Sequence, residues 1–115
     1  MTVMDRKRGT PLPYEADRAL KSLGKNLRTA RLRRNLTLDD VAKRIGVHRT
    51  TLAQAERGDP TVTAGTYVTA CWVYGLANDV AELAAPERDA EGLALEASKA
   101  RSRARPTLGG MSNDF

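Results

Sequence analysis

The chain has 115 residues, 41% of them hydrophobic and 29% charged, with a formal net charge of +5; this fits a soluble globular class with one small domain plus tails and excludes two well-filled cores. Its one cysteine, Cys71, excludes an intramolecular disulfide and fits a reducing compartment. No apolar run approaches ~20 residues and no apolar stretch follows the basic residues of "MTVMDRKRGTPLP", so membrane span and secretory signal are both excluded and a cytoplasmic location is expected.

Residues 1–18 hold Gly9, Pro11 and Pro13 and no helical period, so they are expected to form a flexible N-terminal arm. From Ala19 the pattern changes. Leu20, Leu23, Leu27 and Ala30 recur at three- and four-residue steps, the pattern of an amphipathic helix, with Lys25, Arg28 and Arg33 largely off that stripe and Asn35 as its end. In "LTLDDVAKRIG", Thr37 with Asp40 three residues on makes a capping box in which Asp replaces the usual Glu or Gln. Val41, Ala42 and Ile45 form the inward side of this second helix, and Gly46 stops it.

A third helix is predicted from about Arg49 to Arg57, with Leu52 and Ala55 inward and Gly58 after it. Asp59-Pro60 breaks the helix. Thr63 is the N-cap of a fourth, running through Tyr74 with Tyr67, Ala70, Cys71 and Tyr74 inward and Gly75 at its end. A short fifth is expected near residues 79–84 with Asn78 as cap. Pro86 marks the next boundary. Residues 86–115 form a tail whose "ERDAEGLALEASKARSRARP" is helix-permissive but has a thin apolar face; it is a sixth helix or a segment that orders on a partner. "TLGGMSNDF" is most simply frayed. Strand signals are weak throughout.

Charge follows this organisation. Residues 19–75 carry ten Lys/Arg against four Asp/Glu, whereas residues 76–115 carry five against seven. A phosphate backbone is one natural partner for such a surface, and a merely solubilising basic surface is the other reading. The stretch "GVHRTTLAQAERG" sharpens the choice. Its helix opens on a polar cluster, His48, Arg49, Thr50 and Thr51, and keeps its few apolar residues behind it. Two short helices separated by "GVHR" have the spacing of a helix-turn-helix, whose second helix enters the major groove by its leading residues. In that geometry the cluster would lie at base edges and phosphates. Gln54, four residues after Thr50, would share its face.

The segment "LRTARLRRNLTLDDVAKRIGVHRTTLAQAERGDPTVTAGTYVTACWVYGL" resembles the XRE family of helix-turn-helix regulators, the fold of lambdoid phage repressors, over about residues 19–85. The resemblance rests on LxxxRxxRxLTxxxVA, the Gly46-Val47 turn, "ERG" at 56–58 and a Gly-terminated fourth helix. It implies an all-α, five-helix, lambda-repressor-like domain that binds double-stranded operator DNA, usually as a homodimer. It places His48, Arg49, Thr50 and Gln54 at base-reading positions and pairs Arg31 with Glu56. The chain departs from the family at Leu38, where a Gln commonly contacts phosphate, and at Ala55, where a bulkier apolar residue is usual; Trp72 is a candidate to compensate for the latter. Residues 65–96 are similar to the corresponding region of HipB-type antitoxins, which repress their own operon and bind HipA-type kinase toxins. That likeness implies an autoregulating antitoxin with such a toxin as its partner; a stand-alone repressor and a protein adaptor without DNA binding are the alternatives.

Each candidate residue has a plainer reading. Lys43 and Arg44 are phosphate contacts or solubilising charge. Arg49 and Gln54 are groove contacts or a solvated helix face. Arg31–Glu56 is a structural pair rather than part of a binding surface. Cys71, Trp72 and Tyr74 are core, with a dimer seam as the rival. "KARSRAR" is a solvated tail or a contact with DNA or toxin. Arg6, Lys7 and Arg8 could enter a neighbouring minor groove. His48 is the sole histidine and has no second donor cluster, so no metal site is expected. No nucleophile–base dyad is visible, so neither catalysis nor a cofactor is expected.

Overall fold

Residues 11–110 of the chain are described by the computed structural model, and the described residues form helices and turns with no strand. Most of the N-terminal arm, with Arg6, Lys7 and Arg8, and the last residues of the C-terminal end, 111–115, lie outside the described residues. The chain divides into two compact units, residues 1–80 and 81–115.

In the first unit α1 spans Tyr14–Arg33. It begins five residues ahead of the Ala19 start expected from the apolar stripe, because electrostatics and the proline open it earlier. Pro13 occupies the cap position and its carbonyl accepts from the Asp17 amide at 2.9 Å. Glu15 and Asp17 then lie at the positive end of the helix dipole, and Arg31 and Arg33 at the negative end. Leu27 and Ala30 are buried, with Leu20 and Leu23 packed on the core's edge. The chain leaves α1 through Asn35 at φ 55, a left-handed conformation that asparagine tolerates.

Helix α2 spans Leu38–Ile45 behind the Thr37–Asp40 capping box, and Gly46 ends it at φ 76. Helix α3 spans Arg49–Glu56. Helix α4 spans Ala64–Val73, capped by the Thr63 side chain, which accepts from the Thr66 amide. The core is made where α3 packs on α1, α2 and α4: Leu27, Val41 and Leu52 are its largest fully buried side chains. Tyr67, Ala70, Cys71 and Tyr74 line the inner side of α4 and its exit. Trp72 does not join them. One residue past Cys71 is about 100° further round the helix, and its ring is 61% exposed. It shares an outer face of α4 with the exposed Val68, four residues earlier, so it neither completes the core nor compensates for Ala55.

Helix α5 spans Ala77–Ala81, earlier than the expected 79–84. The Leu76 carbonyl, not Asn78, opens it by accepting from the amides of Asp79 and Val80, and Val80 packs on the core.

In the second unit a 3-10 turn covers Pro86–Arg88, and a sixth helix, α6, spans Ala90–Gly110. The Asp89 carboxylate accepts from the Gly92 amide at 2.9 Å and starts α6. No side chain from Ala90 to Ala104 is buried.

Candidate nucleic-acid interface

The turn between α2 and α3 is built from three local signals. Gly46 takes the left-handed conformation, and the amides of Gly46 and Val47 both donate to the Ala42 carbonyl, at 2.9 and 3.1 Å. A side chain at Gly46 would be strained by that φ even though no atom stands in its way. Val47 then tucks against the core. His48 adopts extended backbone angles and caps α3: its Nδ1 accepts from the Thr50 amide at 3.1 Å. A neutral imidazole that accepts at Nδ1 carries its proton on Nε2, so the exposed ring offers a donor there.

Helix α3 is two-faced in the required sense. Leu52 and Ala55 are fully buried and Glu56 nearly so. His48, Arg49 and Thr50 are exposed, and Thr51 and Gln54 are half-buried. The leading end of α3 therefore presents polar groups to solvent while its rear is fixed inside the domain. Lys43 and Arg44 lie exposed in the last turn of α2. Arg49 has one acidic neighbour: its Nε is 3.9 Å from Asp39 Oδ1 in the first turn of α2, and both side chains are about 60% exposed. Solvent screening leaves such a contact weak.

The rear of α3 is braced by charge. Arg31 of α1 meets Glu56 in a fork, Nε to Oε2 at 2.8 Å and Nη2 to Oε1 at 2.9 Å, while Nη1 donates to the Leu36 carbonyl at 3.0 Å. Both side chains are more than nine-tenths buried. The hydrogen bonds to Glu56 raise the Arg31 pKa, burial opposes this, and the nearby carboxylate charge adds to the rise. One guanidinium thus ties α1, the α1–α2 loop and the end of α3.

Two residues that sequence reasoning passed over complete the brace. A Cβ at Gly24 would stand 2.6 Å from the Ala55 carbonyl oxygen, 2.7 Å from the Gly58 amide nitrogen and 2.8 Å from the Glu56 carbonyl oxygen. Helix α1 therefore crosses the end of α3 backbone to backbone, and the small Ala55 suits that approach. A glycine inside an amphipathic stripe costs roughly 1 kcal/mol of helix stability, and that cost was the available signal. Arg34 is the other: it donates to the carbonyls of Ala30 and Tyr74 and stands 5.3 Å from the centre of the Tyr74 ring. Two helix ends, α1 and α4, are joined through it. Nothing in local spacing links residues forty positions apart.

Elsewhere the chemistry is structural. Among the described residues no cluster of His, Cys, Asp or Glu could hold a metal ion. Cys71 is buried, and burial pushes its thiol pKa up. Burial also pushes Tyr67 up to about 12, and its hydroxyl donates to the Asp59 carbonyl at 2.8 Å. Leu38 is half-buried against the core, and its side chain offers no hydrogen bond to a phosphate. No described helix is long and apolar enough to cross a membrane.

The comparisons with known proteins agree with this geometry at the level of the domain. The family model of a helix-turn-helix domain matches residues 22–85, more than half of the chain. No curated protein and no solved structure matches.

Proposed function

We propose, from the premise that the chain belongs to the helix-turn-helix domain family, that it is a sequence-specific repressor of transcription reading a two-fold operator as a homodimer. The family supports DNA as a partner and regulation of transcription as the role. The finer reading is carried by one observation: the polar leading end of α3 stands in solvent while Leu52, Ala55 and Glu56 anchor its rear. In this reading α3 enters the major groove. Arg49 takes a guanine edge through its guanidinium fork, and Gln54 suits an adenine edge. His48, Thr50 and Thr51 supply short contacts to bases or phosphates, and Lys43 and Arg44 grip the backbone. Two protomers would set their recognition helices about 34 Å apart.

The same proposal includes an antitoxin role with a HipA-type kinase as the bound toxin. Its support is the likeness of residues 65–96 to HipB-type antitoxins. Co-purification with a kinase encoded beside the gene tests that part by itself.

The central test is Arg49→Ala in a mobility-shift assay on the protein's own upstream DNA. Operator affinity should fall about 5- to 150-fold for each half-site, the equivalent of ~1–3 kcal/mol, with selectivity lost at one base pair of each half-site. Unchanged affinity and unchanged selectivity would remove Arg49 from the reading surface.

A further inference from the structure

Helix α6 is long, and from Ala90 to Ala104 no side chain is buried. Its sequence nevertheless carries a seam. Ala90, Leu93, Ala97, Ala100 and Ala104 follow one another at steps of three, four, three and four, the spacing that keeps one stripe facing a partner helix. Leu93 is half exposed on it. A helix in water with no packed face draws its stability from propensity alone, and the glycine and serines of this one weaken that.

The charges on α6 are segregated along its length. Glu91 and Glu96 lie in its first third, preceded by Glu87 and Asp89, and Lys99, Arg101 and Arg103 follow. None of Glu91, Glu96, Lys99, Arg101 and Arg103 makes a salt bridge within 4 Å among the described residues. Such a helix complements a reversed copy of itself. With Ala97 opposite the partner's Ala100, Leu93 falls opposite the partner's Ala104. Glu96 and Arg103 flank the seam on the same side, seven residues apart, so in this register each Glu96 meets the partner's Arg103 and the reverse. A parallel pairing would instead set acidic ends together and basic ends together. Opposed helix dipoles favour the antiparallel pairing as well.

We infer that α6 is a dimerisation helix, pairing antiparallel with α6 of a second copy of this chain through the Leu93–Ala97–Ala100–Ala104 seam and the reciprocal Glu96–Arg103 contacts. This rests on the proposed two-fold reading of DNA only in supplying a dimer for it; the pairing itself needs no DNA.

The test is sedimentation equilibrium of the full chain without DNA, on the wild type and two charge-reversed variants, Glu91→Arg/Glu96→Arg and Arg101→Glu/Arg103→Glu. The wild type should sediment as a dimer. Each variant alone should show half that mass, because like charges would then face each other, and an equimolar mixture of the two should return to the dimer mass. A monomeric wild type, variants that stay dimeric, or a mixture that stays monomeric would each overturn the pairing. Circular dichroism of the variants, with helix content and cooperative unfolding kept in the first unit, shows that each remains folded. The Arg49→Ala assay is read separately. A monomeric wild type that keeps operator selectivity at each half-site sinks the α6 pairing alone, and a dimeric wild type with no operator selectivity sinks the DNA reading alone.

Discussion

Taking a guanidinium and a carboxylate out of water costs several kcal/mol for each ion, and attraction between them returns this only when geometry and further hydrogen bonds are good. Arg31 and Glu56 meet both conditions, with a two-bond fork and a third bond to the Leu36 carbonyl. The pair therefore gives α3 a fixed orientation more than it gives the domain net stability. Truncating one member should be costly and replacing both should not. Glu56→Ala should lower unfolding stability by ~3–5 kcal/mol, since Arg31 is left buried and unmatched. Arg31→Met/Glu56→Leu should recover most of that loss, because two apolar side chains leave no stranded charge. Urea denaturation of wild type, single and double variants measures the coupling. A double variant as unstable as Glu56→Ala would mean that the cost lies in packing. DNA affinity separates the two roles further: the double variant should fold and yet bind less tightly, α3 having lost its brace.

At the scale of the element, helix limits follow from a few local choices, and these were legible where the signal was chemical. Thr37 with Asp40 and Thr63 start helices through side-chain hydrogen bonds, and Gly46 and Gly75 stop them at positive φ angles that the lack of a Cβ allows. The start of α1 was not legible from periodicity, because Tyr14 to Ala19 lie outside the apolar stripe and are held by Pro13 and by charge. For Trp72 size suggests burial, whereas its angular position on α4 leaves it exposed. The exposure of the α3 leading end follows from the polar run 48–51. The Gly24 crossing and the Arg34 clamp join residues distant in the chain, which no local pattern encodes. The cap of α2 carries a pH signature. The hydrogen bond from the Thr37 amide, 2.8 Å from the carboxylate, and then the Thr37 side chain hold the Asp40 carboxyl below the usual carboxylate range. A carboxyl depressed in the folded state contributes stability that is complete above its unfolded-state pKa and is lost as pH falls through the folded value. The difference in urea midpoint between wild type and Asp40→Ala should thus be constant from pH 7 to about pH 5 and close in stronger acid. A difference that persists undiminished to about pH 2 would assign the Asp40 effect to something other than its charge.

At the scale of the whole molecule, the excess positive charge lies in the helix-turn-helix part of the chain, ten basic against four acidic residues between positions 19 and 75. Charge that grips phosphate and side chains that read bases leave different thermodynamic traces, so the two can be told apart in one protein. Each phosphate neutralised releases condensed counterions, which makes the logarithm of affinity fall linearly with the logarithm of salt, at about 0.9 per contact on duplex DNA. If Lys43 and Arg44 each hold one phosphate in both protomers, those residues alone give a slope of about −3.6. Lys43→Ala should then weaken binding to operator and unrelated DNA alike and flatten the slope by about 1 for each protomer bound. Arg49→Ala should act on operator far more than on unrelated DNA. Measuring both variants on both DNAs across a salt series checks the assignment. A Lys43→Ala slope equal to that of the wild type would move the phosphate grip elsewhere on the basic surface, and a loss confined to the operator would make Lys43 a base reader.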